Sequence, residues 1–131
     1  MTVLINIDVP DIAAAERFYT AAFGLTLGRR FGEEFLELLG WPVPVYLLKK
    51  PPGSLGAGSD VRRYGRHWTP IHADIVVDDL DAALARATAA GAVIESPAAQ
   101  APYGRIAMLA DPFGHGFCLI AFNDQGYDGL L

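Results

Sequence analysis

At 131 residues and 14.1 kDa, with 52% apolar and 19% charged residues, the chain suits one folded domain, or two half-domains sharing a core, and excludes a disordered polymer. Its formal charge of −5 disfavours non-specific nucleic-acid binding, which rests on neutralising phosphates, and is ordinary for solubility. The lone cysteine, Cys118, excludes an intrachain disulfide and fits a reducing cytoplasm, where the protein is expected to reside.

The start, MTVLINIDVPD, has no basic region ahead of an apolar one, so no signal peptide is expected. Residues 3–9 read as a short β-branched strand bounded by Pro10-Asp11. Alternation puts Ile5, Ile7 and Val9 on one face and Leu4, Asn6 and Asp8 on the other. Asp11 is a good N-cap for a helix over residues 12–23, with Ile12, Ala15, Tyr19, Ala22 and Phe23 as its buried stripe and Gly24 as its stop. Residues 25–30, 34–39 and 43–49 read as three strands, which makes a first β-α-β-β-β module over about residues 1–50. The most apolar region, 35–48, is broken by Glu37, Gly40, Pro42 and Pro44 and cannot supply the ~20 apolar residues of a membrane span.

Residues 51–67 are rich in Gly, Pro and Ser and lack periodicity, which predicts a linker. Arg62, Arg63 and Arg66 within it read either as a cationic lid over a pocket or as a solvated crossover. The second module, about 68–122, opens on WTPIHADIVVDDL. Ile71, Ala73, Ile75 and Val77 share one face of its first strand, and His72, Asp74 and Val76 the other. Asp79 caps a helix with the stripe Leu80, Ala83, Leu84 and Ala87, and Gly91 closes it. Residues 93–96 form a short strand, 97–102 are poorly patterned, and 103–109 and 116–122 are the last strands, joined by the turn DPFGHG. The tail, 123–131, reads as irregular, with Tyr127, Leu130 and Leu131 available to dock on the body or on a partner chain.

The modules repeat each other. Asp79-Leu80 and Asp11-Ile12 open equivalent helices at an offset of 79 − 11 = 68 residues, and strand, cap and helix follow in the same order. Two such modules, a V-D-D-L-D-A-A helix opening and a final D-P-F-G-H-G-F turn resemble the vicinal oxygen chelate superfamily over residues 3–122. That group includes glyoxalases, extradiol dioxygenases and bleomycin-binding proteins. The resemblance implies an α+β fold whose paired modules form a cup-shaped mixed sheet, and a homodimer.

Metal enzymes of the superfamily place one ligand on the first and last strand of each module. By position, their His/Gln, Glu, His, Glu set falls here on Leu4, Tyr46, His72 and Cys118. Leucine cannot ligate, and neutral tyrosine, with a pKa of about 10, ligates poorly. His72 and Cys118 suit zinc but fall one short of a three-ligand catalytic site, and the hard oxygens that suit magnesium or manganese are missing. No metal and no other cofactor is therefore expected.

Several residues carry candidate roles. His72 reads as a ligand contact, an acid-base group, or a histidine satisfied by Tyr46 or Asp74. Asn6 and Asp74, again 74 − 6 = 68 apart, read as a polar bridge, or as ligand or water contacts. Cys118 reads as a small buried hydrophobe. Trp68 offers stacking or rim packing, and Trp41, Phe35 and Tyr46 offer an aromatic wall for a flat organic ligand or ordinary core. Phe113 and His115 read as structural. Two functions follow. One is metal-independent binding of a small organic molecule through His72, Tyr46, Asn6, Asp74, Trp68 and Cys118, as in the bleomycin-resistance branch. The other is a glyoxalase-like lyase or isomerase, or a dioxygenase, using His72 with a metal completed elsewhere.

Overall fold

Alternating β-branched and polar residues in INIDV and ADIV build the opening strands of two β-α-β-β-β units in a computed structural model that describes residues 1–131. The units are Met1–Gly65 and Arg66–Leu131. The architecture is α+β, with one mixed four-stranded sheet in each unit.

The first unit comprises β1 (Ile5–Val9), α1 (Ile12–Phe23), β2 (Thr26–Arg30), β3 (Phe35–Leu39) and β4 (Val45–Lys49). Its strand order is β1-β4-β3-β2, with β1 and β4 parallel and the other pairs antiparallel. Asp11 accepts from the Ala14 amide at 3.0 Å, and Gly24, at φ 66°, ends the helix in the left-handed conformation that glycine alone enters freely. One sheet face lies under α1. Its Val9, Val45, Leu47, Leu36 and Leu38 are fully buried, each worth about 1.5–3 kcal/mol of apolar transfer. α1 buries Ala15, Phe18, Tyr19 and Ala22. Phe18 thus replaces Ile12 and Phe23, which are only half-buried, because its ring packs edge-on against Tyr19 at 5.0 Å.

Three strand starts fall two residues later than the sequence suggests. β1 begins at Ile5, β4 at Val45 and β5 at Ala73, so Leu4 lies outside any strand and is 51% exposed. Pro44 explains the second case, because it has no amide to give to the ladder. Within the predicted linker, Leu55 and Val61 form an isolated antiparallel bridge. Arg62 is drawn in: its Nε donates to Asp8 Oδ2 at 2.6 Å and its Nη1 donates to the Leu55 carbonyl. It is a tether within the unit and not a lid.

The second unit comprises β5 (Ala73–Val76), α2 (Leu80–Ala90), β6 (Val93–Ala101), β7 (Gly104–Ala110), β8 (Gly116–Phe122) and a 3₁₀ turn at Gly126–Leu130. Strand order is β5-β8-β7-β6, again with a single parallel pair, β5 with β8. Asp79 caps α2 through the Ala82 amide at 3.0 Å. Leu80, Ala83 and Ala87 are buried, whereas the expected Leu84 is half-exposed. The largest difference is β6, which runs to Ala101 instead of ending at Ser96. It is an edge strand with two register shifts around Ser96 and Pro97, which lets a proline sit in it without breaking the ladder. The tail is not irregular: Tyr127 packs on Phe122 at 4.8 Å and on Tyr103 at 5.2 Å. Leu130 and Leu131 stay exposed. No helix is long and apolar enough to cross a membrane.

Candidate functional site

On the face of the first sheet away from α1, the ladder aligns Asn6 with Tyr46 and Tyr46 with Glu37. Glu37 is only 6% exposed, and a carboxylate so placed requires partners. Tyr46 Oη donates to its Oε2 at 2.8 Å. Arg29 donates from Nη2 at 2.6 Å, from Nε at 3.0 Å and from its own amide at 3.2 Å. The side chain of Arg29, 65% exposed, emerges from this clasp toward solvent.

A β-bulge makes the clasp possible. Leu27 pairs with Leu38 and Arg30 with Leu36, so both Gly28 and Arg29 oppose Glu37. Arg29 is thereby turned onto Glu37's face while Arg30 points to α1, where it bonds Glu16 at 2.6 Å. Gly28 supplies the space, since a Cβ there would lie 2.7 Å from Glu37 Oε1. Hydrogen bonds from Arg29, then Tyr46, hold the Glu37 carboxyl down at about 2 against an ordinary 4.5. The same contact with Glu37 raises the Tyr46 phenol.

A carboxyl depressed on folding stabilises fully above its unfolded value and loses that contribution as pH falls to its folded one. The stability difference between the native chain and Glu37→Gln is therefore expected to be constant above about pH 5 and to shrink between pH 4.5 and about 2. Thermal melts of both proteins across that range measure it. A difference that does not change below pH 4.5 would contradict the clasp.

Beside the clasp lies an aromatic run. Phe31 and Phe35 have ring centroids 4.8 Å apart, Phe35 and Tyr46 5.4 Å, and the Arg29 guanidinium sits 5.2 Å from the Phe31 centroid. Trp41, expected in this wall, packs against Phe23 of α1 at 5.4 Å instead. Phe31 takes its place.

In the second sheet the equivalent row is Asp74, Cys118 and Met108. Asp74 Oδ1 lies 3.1 Å from His72 Nε2. Cys118 is 2% exposed and its sulfur lies within 4.8 Å of the Asp74 carboxylate; burial first, then that carboxylate, push the thiol up to about 11. A thiol so held is no nucleophile at neutral pH. Trp68 lies 4.8 Å from the His72 ring, and Arg66 lies 5.9 Å from Trp68 while bonding Glu95 at 2.7 and 2.8 Å. Arg66 also reaches the Gly114 carbonyl at 3.4 Å, so it too is a tether. In that turn Asp111 accepts from the amides of Phe113 and His115 and pairs with the His115 ring.

Of the residues singled out from sequence, His72, Asp74, Cys118 and Trp68 therefore converge in one unit, and Tyr46 joins a different cluster in the other. Asn6 is exposed on its sheet, and Asp74 finds its partners in its own unit. The premise of an Asn6–Asp74 bridge, two buried groups lacking other partners, does not hold. Sequence reading took Glu37 as a break in an apolar run and missed Arg29. The signal for Glu37 was present, as a lone charge inside the apolar strand FLELL.

The four-ligand hard-cation set does not fit the residues present. Leu4 has no donor, Tyr46 is committed to Glu37, and Glu37 is neutralised by Arg29.

Comparison with known proteins agrees with the architecture. A model of the glyoxalase-like domain family matches residues 4–120. The anthracycline biosynthesis protein DnrV of Streptomyces peucetius is 34% identical over 120 residues, which cover 88% of this chain and 39% of DnrV. The chain thus spans about two fifths of the length of that relative. TnmS3, an antibiotic binding protein from Streptomyces sp. CB03234, is 25% identical and superposes with a TM-score of 0.65 over 94% of this chain and 96% of its own. A glyoxalase/bleomycin resistance protein/dioxygenase family enzyme from Burkholderia phytofirmans PsJN superposes at 0.72, covering 92% and 97%, with 20% identity, a likeness of fold.

Proposed function

Given that the chain belongs to the glyoxalase-like domain family of the vicinal oxygen chelate superfamily, we propose that it binds a flat aromatic small molecule without the hard divalent cation of the family's metal enzymes. One observation carries this reading. The face of the first sheet away from α1 carries the exposed Phe31 ring and the half-buried Phe35 ring in contact, backed by the buried Tyr46, with the Arg29 cation at its edge. Aromatic faces stack on planar ligands at little entropic cost, and a guanidinium over a ring adds attraction for electron-rich or weakly acidic oxygens. The names of DnrV and TnmS3, concerned with an anthracycline and with antibiotic binding, support a fused-ring ligand.

A hydroxyanthraquinone titrated calorimetrically into chelator-treated protein is expected to bind at one site. Phe31→Ala, a change at an exposed ring, is expected to weaken binding by about tenfold, the loss of one stacking contact of roughly 1.4 kcal/mol. Unchanged affinity in Phe31→Ala and in Phe35→Ala would overturn the reading.

An enzymatic reading, a lyase or isomerase acting through His72, is favoured by the Asp74 carboxylate that orients its imidazole. Turnover that disappears in His72→Ala while ligand binding persists would select it.

A further inference from the structure

The parallel register of β5 and β8 sets Asp74 beside Cys118, and His72, just ahead of β5, brings its Nε2 to 3.1 Å from Asp74 Oδ1. One ligand atom from each of the three lies within 4.8 Å of the other two. We propose that His72, Asp74 and Cys118 form a binding site for a borderline divalent cation, zinc or cobalt, contained within this single unit. The assignment is independent of the aromatic-ligand reading.

Bond lengths of about 2.0–2.1 Å to nitrogen, 2.0–2.2 Å to oxygen and 2.3 Å to sulfur place tetrahedral ligand atoms roughly 3.3–3.7 Å apart. His72 Nε2 and Asp74 Oδ1 are already 3.1 Å apart. No other pair need close by more than about 1 Å from its limit of 4.8 Å. One nitrogen, one carboxylate oxygen and one sulfur is a donor set for zinc or cobalt, and a poor one for magnesium, manganese or calcium. A thiolate and a carboxylate together cancel the charge of a dication, so the bound site leaves no net charge on the sheet face.

Access is graded in the manner of a site with an open position. Cys118 forms a buried floor, while the side chains of His72 and Asp74 are 27% and 40% exposed. The fourth position is left to water or an added ligand, as in three-ligand zinc sites. The imidazole is steadied by Trp68, which is in turn covered by Arg66, itself fixed by Glu95 and Gly114. Such outer contacts orient a ligating histidine. Without a cation Asp74 lies between the other two groups, its Oδ1 3.1 Å from His72 Nε2 and its carboxylate within 4.8 Å of the Cys118 sulfur. On binding, the cation takes the place of the thiol proton, which leaves to solvent. The set keeps two positions that the superfamily uses, His72 and Cys118, and completes them within one unit with Asp74, which is not one of the four.

Cobalt(II) titration of the full, chelator-treated chain tests the site. The expected result is one equivalent bound, with a near-ultraviolet thiolate-to-cobalt charge-transfer band and visible bands of low coordination, both removed by equimolar zinc. Cys118 is the sole cysteine, so the charge-transfer band can arise only from it. Cys118→Ser is expected to abolish that band. His72→Ala, a change at an exposed position that circular dichroism should show to be folded, is expected to weaken cobalt binding more than about tenfold. Absence of the band in the native chain, or cobalt affinity unchanged in His72→Ala, would overturn the proposal. Failure here leaves hydroxyanthraquinone binding by the metal-free protein unaffected, so the two readings fail separately.

Discussion

Asp111→Ala is expected to destabilise the protein by about 2–4 kcal/mol in urea unfolding. Asp111 is 4% exposed, and its Oδ1 alone accepts from two amides, Phe113 at 2.8 Å and His115 at 2.9 Å. Its Oδ2 lies 2.8 Å from His115 Nδ1. Removing the carboxylate deletes both amide hydrogen bonds and the His115 contact at the entrance to β8, and a lost hydrogen bond to a charged group costs about 1.5–3 kcal/mol. Phe113, 8% exposed, would also lose the turn that seats it. Asp111→Asn keeps one acceptor and is expected to lose about half as much. A loss below about 1 kcal/mol in the alanine variant would show that the turn is held by its chain path and not by this side chain. The turn also matters at a distance, because Gly114 within it receives Arg66, which covers Trp68 and through it His72.

Gly104→Ala is expected to be at least as damaging, at about 3 kcal/mol or more. Gly104 opens β7 at φ +144°, a conformation that side chains rarely adopt. A Cβ there would overlap the Ala121 carbonyl and lie 2.9 Å from both the Asn123 nitrogen and the Phe122 Cα. All three obstacles are backbone of β8 or of the residue that follows it, so no rotamer change relieves them, and the β7–β8 ladder must part at its end. Gly65→Ala is the matched control. A Cβ there meets nothing within 4 Å, and its φ is unexceptional, so its stability should stay within about 0.5 kcal/mol of the parent. Equal melting temperatures for Gly104→Ala and the parent would refute the close approach.

Both changes act on features that sequence only half discloses. The DPFGHG turn was legible as a turn, and Phe113 and His115 as structural, because glycine and proline punctuate locally. Asp111 as the hub was not, since its role depends on where three later groups fold back. The two helices, with their caps at Asp11 and Asp79 and their stops at Gly24 and Gly91, were legible for the same local reason. So was the duplication, which keeps strand, cap and helix in one order.

The sites divide differently. Period-two alternation placed Asn6 and Asp74 on the faces where they are found, because strand periodicity is a property of single segments, whereas Tyr46 and Cys118 were reached only through the resemblance. Which of them meet was set by inter-strand register. Asp74 finds Cys118 through a parallel pairing of segments 118 − 74 = 44 residues apart, and nothing within either segment encodes that distance. Strict alternation would also have put Arg29 with Leu27, on the α1 side. The bulge between Leu27 and Arg30 reverses it and delivers the guanidinium to Glu37. By itself the sequence determined the module and its repetition. Tertiary structure decided that Glu37 is neutralised inside one sheet, and that His72, Asp74 and Cys118 gather on the other, because pairing and bulges are settled between strands and not within them.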